Sequence, residues 1–244
     1  MGVSPWKTPF ELWEEKTGRA KREETSNFIQ ERGNELEPIA RARYELEFDI
    51  EMPPALCQHQ KHEWMRASMD GHNPALKRGL EIKYIGENDF KLAVELGKIP
   101  EKYFPQIQHQ FMVTGAEQID FYGYTVPKGA ENHQGKSVTV PVFPDLNYVS
   151  NLFEAEYRFW MHIVSDVPPP FVQQDYKLIR VKGAKALADE YAEKVLLLES
   201  DGTLLPRVSQ VTDELMSMAQ PGPRYRIGNL LIENGIITVK KAWN

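Results

Sequence analysis

Three residues with ionisable side chains, Asp70, Glu81 and Lys83, have a spacing that could support phosphate chemistry. One residue separates Glu81 from Lys83 within the apolar run GLEIKYI, so on a strand both side chains project from the same face. Asp70 ends the run HEWMRASMD, which alternates in the manner of a second strand. The segment between the runs, GHNPALKRG, is rich in turn residues, and a hairpin-like pairing of the two strands would bring the three side chains together.

The chemistry of this trio follows from its charges. Two carboxylates without a neutralising partner repel one another, which raises the pKa of one of them and costs stability. A divalent cation removes the conflict, and ligands with oxygen atoms alone favour Mg²⁺ or Mn²⁺ over zinc. Such a cation activates a water and offsets the charge that grows on a phosphate, while Lys83 would position the nucleophile or act electrostatically. The competing interpretation is a surface hairpin with alternating charges.

Helical segments precede these strands. Thr8 and Pro9 predict the start of a helix that ends at Gly18. The segment SNFIQERGNELEPIARARYELEF predicts a second helix with one buried stripe. Pro38 in this helix requires either a new helical turn near Asn34 or a kink.

Further elements follow the strands. The segment IPEKYFPQIQHQFMVTGA predicts a helix capped by Gly115, on which Gln106 and Gln110 share a face. The remaining predictions are two strands, an amphipathic helix closed by a proline-rich boundary, a long helix, and a hairpin that turns at Asn234 and Gly235: QIDFYGYTV, KSVTVPVF, LFEAEYRFWMHIV, AKALADEYAEKVLLLES and YRIGNLLIENGIITVKKAW.

Composition excludes several classes of protein. With 244 residues, 41% hydrophobic and 26% charged, the chain is expected to be one globular domain, without a membrane span or a secretion leader. The net charge of -6 is unfavourable for a polyanion ligand, although a local basic channel or a metal-bound acidic site remains compatible with it. The single cysteine, Cys57, excludes an intramolecular disulfide and a four-cysteine cluster.

A Cys/His cluster and two separate acids are the other candidate site residues. Cys57, His59 and His62 suggest zinc, but no second cluster of ligands follows and alternation separates Cys57 from His62. Asp89 and Asp120 are expected to be solvated acids.

The chain resembles the YqaJ-type viral recombinase family, the branch of the PD-(D/E)XK nuclease superfamily that includes the phage lambda exonuclease. Asp70, Glu81 and Lys83 match the superfamily motif. The stretches that carry the resemblance cover most of residues 1–120 in the order of the family: GVSPWKTPFELWEEKTG, RGNELEPIAR, WMRASMDG, LEIKYI and YFPQIQHQFMVTGA.

The resemblance implies a set of metal ligands. These are the carboxylates of Glu37, Asp70 and Glu81 and the backbone carbonyl of Ile82. Glu35 lies two residues from Glu37, so a helix directs the two side chains about 200° apart, and the motif favours Glu37.

The resemblance also implies that Lys83 is the catalytic lysine and that Gln106 lies beside the active site, where it helps to hold the nucleophile or the phosphate. In the family, GVSPW usually follows a segment with an Arg and a Gly/Thr-Ala-Ser element that helps to grip the DNA end; a basic cluster after the first helix is a candidate substitute. The predicted DNA-binding residues are Arg19, Lys21, Arg22, Arg66 and His109.

The expected fold class is α/β (α+β), a PD-(D/E)XK restriction-endonuclease-like fold with a central mixed β-sheet flanked by helices and a C-terminal helix and β-hairpin elaboration. We expect a single exonuclease domain over 1–244, with a nuclease core over about 1–165 and the elaboration over about 166–244.

The resemblance further implies a Mg²⁺-dependent deoxyribonuclease, with Mn²⁺ as a substitute, that degrades one strand of linear double-stranded DNA from its 5′ end. The remaining 3′ overhang would serve annealing-type recombination. Expected partners are double-stranded DNA ends, two further copies of the chain in a homotrimeric ring, and a single-strand annealing protein. The expected setting is a phage or prophage gene acting in the cytoplasm of the bacterial host.

Two alternatives remain open. One is a PD-(D/E)XK endonuclease or repair nuclease of other polarity. The other is a DNA-binding module that does not cleave, which the presence of Asp70, Glu81, Lys83 and Glu37 together disfavours. A Cas4-like nuclease is disfavoured by the lone cysteine.

Overall fold

The computed structural model describes residues 7–21, 28–127, 129–178, 182–197, 202–219 and 224–240. These residues form two compact units. The first unit contains residues 28–161, and the second contains residues 7–21 together with the described residues from 162 to 240. Residues 7–21 therefore group with the C-terminal part of the chain. The prediction of one domain over 1–244 stays a prediction.

The first helix, α1 (Pro9–Lys16), belongs to the second unit and begins as its sequence predicts. The Glu11 backbone N–H donates to the Thr8 hydroxyl over 3.2 Å, and the Thr8 backbone N–H donates to the Glu11 carboxylate over 2.9 Å. This reciprocal capping satisfies two backbone donors that the first turn of a helix leaves free. The predicted cap at Thr8 with Pro9 in the first turn is confirmed.

The helix α2 (Phe28–Phe48) opens the first unit and continues through Pro38. The buried residues Leu36, Ala40 and Tyr44 recur every four positions and form the face that packs on the sheet. Pro38 itself is exposed, so its ring lies on the solvent side of the helix. The predicted helix with one buried stripe is confirmed, and it does not restart at Asn34.

Short strands follow α2. The strands β1 (Ala55–Gln58) and β2 (Arg66–Met69) pair antiparallel, and β2 alternates exposed and buried side chains as predicted. The chain then bends at Asp70 and continues as β3 (Gly71–Asn73), which pairs antiparallel with β4 (Arg78–Tyr84). The predicted pairing of the HEWMRASMD strand with the GLEIKYI strand was therefore wrong, because the partner of β4 is β3 and the partner of β2 is β1.

The central sheet of the first unit is mixed. After β4 come α3 (Glu87–Leu96), α4 (Phe104–Thr114) and β5 (Gln118–Thr125), and the two helices form the crossover that allows β4 and β5 to run parallel. The next strand, β6 (Lys136–Val142), pairs antiparallel with β5 and leads into α5 (Leu146–Val164). The strand order is β3-β4-β5-β6.

Helices cover both faces of this sheet. Leu80 and Tyr122 pack against α2 on one face, whereas Ile119 and Phe121 pack against the α4 residue Ile107 on the other face. Both faces of β4 and β5 are therefore buried, which explains the nearly continuous apolar character of these strands. The predicted central mixed sheet flanked by helices is confirmed.

The second unit combines α1 with a small sheet and two helices. Its later elements are β7 (Lys177–Leu178), α6 (Ala184–Leu197), α7 (Leu205–Met218), β8 (Arg224–Ile227), β9 (Leu230–Glu233) and β10 (Ile236–Val239), with strand order β10-β9-β8-β7. The predicted hairpin at Asn234 and Gly235 is confirmed, and both residues have positive φ, at 49° and 81°. The helix α7 was not predicted.

Among the helices of the described ranges, none combines the length and the apolar character that crossing a bilayer requires.

Candidate functional site

Asp70 is anchored to β4 by a hydrogen bond to the backbone. The Ile82 backbone N–H donates to Asp70 Oδ2 over 2.7 Å. The β3–β4 ladder ends at the pair Gly71 and Leu80, so the Asp70 carboxylate takes the place of the next backbone acceptor. The N–H and C=O of one strand residue face the same strand edge, so the Ile82 carbonyl faces the edge where Asp70 lies.

Glu81 and Lys83 meet on one face of β4, as a separation of two residues on a strand requires. Lys83 Nζ forms an ion pair with Glu81 Oε1. Only 1% of the Glu81 side chain is exposed, against 26% of the Lys83 side chain. Glu81 is thus a fully buried carboxylate whose cationic partner reaches it from the partly exposed side.

Two glutamines of α4 also bind Glu81. Gln106 Nε2 donates to Glu81 Oε1 over 2.6 Å, and Gln110 Nε2 donates to Glu81 Oε2 over 2.5 Å. One helical turn separates Gln106 from Gln110, which is why both reach the same carboxylate. Gln106 was predicted at the site and Gln110 was not, although their spacing of four residues was a signal for both.

Glu37 lies on α2 and its charge acts on Asp70, where it contributes to the raised pKa described below. Its carboxylate Oε1 accepts a hydrogen bond from Arg41 Nη2 over 2.5 Å, one helical turn further on. Glu35 instead binds Arg32 and Asn132, and its side chain is 57% exposed. Of the two acids, Glu37 is therefore the one whose charge affects Asp70. Its partner Arg41 was not among the predicted site residues.

The burial of this cluster alters the acidity of its members. Burial, followed by the negative charge of Glu81, raises the pKa of Asp70 to about 7. Burial acts in the opposite direction on Lys83 and lowers its pKa, but the charges of Glu81 and Asp70 and the hydrogen bond to Glu81 outweigh it, so the pKa of Lys83 is raised overall. The charge of Lys83 also lowers the pKa of Asp70, but by less than burial and the charge of Glu81 raise it.

This donor set fits a hard divalent cation in both atom type and charge. Asp70 and Glu81 offer carboxylate oxygens, and the Ile82 carbonyl faces the same edge as Asp70. Within the ranges that the structure describes, no three His, Cys, Asp or Glu side chains are grouped closely enough to share one metal ion. The third acid of the motif, Glu37, is held by Arg41. The Mg²⁺ site stays a prediction.

The predicted DNA-binding residues lie in different places. Arg19 forms an ion pair with Asp166 and lies over the Trp13 ring, with 4.3 Å between the guanidinium carbon and the ring centroid. Lys21 is exposed in the same unit, and Arg22 lies outside the described residues. Their role in DNA binding stays a prediction.

The other two residues of that set lie near α4 in the first unit. Arg66 has an exposed side chain on β2. His109 bridges two elements, because its Nδ1 lies 2.8 Å from Glu156 Oε1 and its Nε2 lies 3.0 Å from the Arg66 backbone carbonyl. Both ring nitrogens are therefore engaged within the protein, and a contact of His109 with DNA also stays a prediction.

The expectation of a solvated acid was wrong for Asp120, whereas the Asp89 side chain is 30% exposed. Asp120 is 1% exposed and accepts hydrogen bonds from Tyr44, Arg78 and Gln118. This network joins α2 to β4 and β5. Asp89 forms an ion pair with Lys102 over 2.7 Å.

The fold of this chain is similar to that of solved structures. The structure of LHK-Exo in complex with dAMP matches with a TM-score of 0.54 and 24% identity, over 65% of this chain and 78% of that chain. LHK-Exo is an alkaline exonuclease from Laribacter hongkongensis. At this identity the likeness shows the fold alone, and the predicted PD-(D/E)XK-type fold is confirmed.

Comparisons of the sequence concern the N-terminal part of the chain. Residues 1–117 match the model of the YqaJ-like viral recombinase domain, so the predicted resemblance is confirmed for this part of the chain. The uncharacterized protein YqaJ of Bacillus subtilis (strain 168) is 30% identical over 162 residues, which are 66% of this chain and 49% of YqaJ. An uncharacterized protein of Acanthamoeba polyphaga mimivirus is 27% identical over 61% of this chain and 29% of its own length. The chain thus spans about half or less of these two relatives.

Proposed function

We propose that the protein is a Mg²⁺-dependent exonuclease that digests one strand of linear double-stranded DNA from its 5′ end. The remaining 3′ single strand would then serve annealing-type recombination. The observation that carries the proposal is the convergence of Lys83, Gln106 and Gln110 on the buried carboxylate of Glu81, with Asp70 anchored beside it through Ile82. The match to the recombinase domain and the nuclease fold support it.

Each group of the site has a part in this proposal. Asp70 and Glu81 would hold the cation, with the Ile82 carbonyl beside them and Glu37 as the third acid. A bound divalent cation supplies an activated water and shields the charge on the phosphate. Lys83 is held in place by Glu81, so its ammonium needs little reorganisation to face a negatively charged phosphate. Gln106 is exposed at the surface of α4, so its amide can also orient a substrate oxygen.

The assembly and the partners belong to the same proposal. A homotrimeric ring around the duplex would keep a protein with a net charge of -6 on a polyanion, because encirclement supplements charge attraction. Sedimentation equilibrium tests the ring, and a monomeric mass would contradict it. Enzyme bound to labelled DNA and challenged with excess unlabelled DNA should continue to digest, whereas immediate arrest would argue against encirclement. A single-strand annealing protein is the proposed partner, and the proposed setting is the cytoplasm of a phage-infected or prophage-bearing bacterium.

The central experiment compares two DNA substrates in the presence of Mg²⁺. Linear duplex labelled at either the 5′ or the 3′ ends and covalently closed circular duplex are incubated with the protein. We expect early release of the 5′ label, retention of the 3′ label, intact circles, and loss of all cleavage with EDTA. Nicked circles would indicate an endonuclease, early loss of the 3′ label would indicate the opposite polarity, and no cleavage of either substrate would indicate a DNA-binding module.

A further inference from the structure

Gln110 is a buried polar residue whose hydrogen bonds serve the site and not the packing of its helix. Its side chain is 1% exposed. Its amide nitrogen donates to Glu81 Oε2 over 2.5 Å and to the Ser68 carbonyl over 3.3 Å. Both neighbours of the nitrogen accept hydrogen bonds, so this contact pattern fixes which way the amide faces.

The carbonyl oxygen of the Gln110 side-chain amide lacks such hydrogen bonds within the described residues. Gln110 Oε1 is buried and has no hydrogen-bond partner among the described residues. A buried acceptor without a partner costs stability, and an apolar side chain of similar shape would avoid that cost. Apolar packing alone therefore does not account for a glutamine at this position. The bond to Glu81 does.

The acceptor sites of Glu81 indicate what this bond achieves. A carboxylate offers about four lone-pair positions, two on each oxygen. Lys83 and Gln106 both bind Oε1, and Gln110 binds Oε2. Counted over the residues that the structure describes, one position is left, and it belongs to Oε2. Without Gln110, the carboxylate would be held through Oε1 alone and could pivot about that oxygen.

We propose that Gln110 is a positioning residue that orients Glu81 so that Oε2 presents its remaining lone pair to a divalent cation. This inference rests on the proposed function, because it assigns the cation to the Asp70 and Glu81 site. Gln110 itself contacts neither cation nor substrate. It fixes the plane of the ligand carboxylate, and groups that support metal ligands in this way typically change metal affinity by about 10–100-fold.

The test substitutes Gln110→Met, which keeps the length of the side chain and removes the donor. Mn²⁺ binding is measured by isothermal titration calorimetry, and thermal unfolding is followed with and without Mn²⁺. We expect a loss of Mn²⁺ affinity of about tenfold or more, a smaller Mn²⁺-induced rise in unfolding temperature, and a lower unfolding temperature of the metal-free protein, because the buried Glu81 carboxylate loses a hydrogen bond. Cleavage by this variant should recover at high Mn²⁺, because only the affinity for the cation is affected.

Gln108→Met is the matched control. Gln108 is buried in the same helix. Its amide donates to the Phe143 carbonyl and accepts from the Asp145 backbone N–H, and among the described residues it forms no hydrogen bond with Glu81. If this variant lost Mn²⁺ affinity to the same extent, the effect would reflect disturbance of α4 and the inference would be overturned. Wild-type affinity in Gln110→Met would overturn it as well.

Failure of the proposed function would look different. In that case the wild-type protein itself would neither bind Mn²⁺ nor cleave linear duplex DNA. Should Gln110→Met not fold, Gln110→Leu is measured in the same way. Unchanged Mn²⁺ affinity in Gln110→Leu would likewise overturn the role of Gln110, and a loss of about tenfold or more would support it.

Discussion

The Ile82 backbone N–H donates to the Asp70 carboxylate over 2.7 Å, which joins the bend between β2 and β3 to the middle of β4. Ile82 lies between Glu81 and Lys83 in the sequence, so this one bond sets the distance from Asp70 to both. Asp70 is held by backbone and not by a flexible side chain. The edge of the sheet therefore fixes the position of Asp70. Substitutions of the side chains at the site are expected to change catalysis more than folding.

Lys83→Met should reduce cleavage of linear duplex on the order of a hundredfold or more, because it removes the cation beside Glu81. The rate is measured at saturating Mg²⁺ on end-labelled DNA. Lys77→Met is the control, since Lys77 pairs with Glu117 on the surface with both side chains more than half exposed. Near-normal turnover in Lys83→Met would discredit the assignment of this lysine.

Glu81→Gln should weaken Mn²⁺ binding by about tenfold or more, because an amide is a poorer ligand than a carboxylate for a hard cation. Calorimetric titration of the metal-free protein measures the affinity. Glu117→Gln, which alters an exposed acid of the same unit, should leave the affinity unchanged. Equal affinity in wild type and Glu81→Gln would remove Glu81 from the metal site.

Asp120→Asn should lower the free energy of unfolding by about 3 kcal/mol, because it breaks a buried ion pair and leaves the Arg78 guanidinium without its partner. Urea denaturation gives the difference. The comparison is Asp89→Asn, whose partner Lys102 is 56% exposed, and which should cost no more than about 0.5 kcal/mol. Equal costs in the two variants would show that the Asp120 network contributes little to stability.

The His109 pair predicts a pH dependence of stability. Burial lowers the pKa of His109, but the hydrogen bond and the charge of Glu156 outweigh it, so the pKa is raised above its ordinary value. The folded protein therefore holds this proton more tightly than the unfolded chain. The stabilisation is fully present below the unfolded pKa, about 6.5, and is lost as pH rises through the folded pKa.

The measurement is the free energy of unfolding at about pH 6 and about pH 8.5, in wild type and in His109→Gln. The substitution should cost about 1 kcal/mol at the lower pH and less at the higher pH. His133→Gln serves as the control, because His133 and its partner Glu131 are 70% and 74% exposed. An identical pH profile in wild type and His109→Gln would contradict the assignment.

The predictions that succeeded depend on residues close together in the sequence. The cap at Thr8, the helix end at Gly115 and the hairpin at Asn234 and Gly235 follow from backbone preferences that a few neighbouring residues set. The shared face of Glu81 and Lys83 follows in the same way from the period of a strand. These features survive in the folded protein because packing does not oppose them.

The predictions that failed depend on partners far along the chain. The pairing of β4 with β3 depends on the bend at Asp70, which hydropathy alternation does not reveal. Asp120 was expected in solvent, yet Tyr44, 76 residues away, and Arg78 enclose it. Isolated acids are usually exposed, so composition gave no reason to expect this network.

The sequence by itself determined most of the elements, the face on which Glu81 and Lys83 lie, and the resemblance of residues 1–117 to the YqaJ-like viral recombinase domain. Only the tertiary structure decided that Gln110, 29 residues from Glu81, fixes one oxygen of that carboxylate, and that Arg41 holds Glu37. The physical reason is that backbone preference is local, whereas the partner of a buried charge is selected by which side chains packing brings within hydrogen-bond distance.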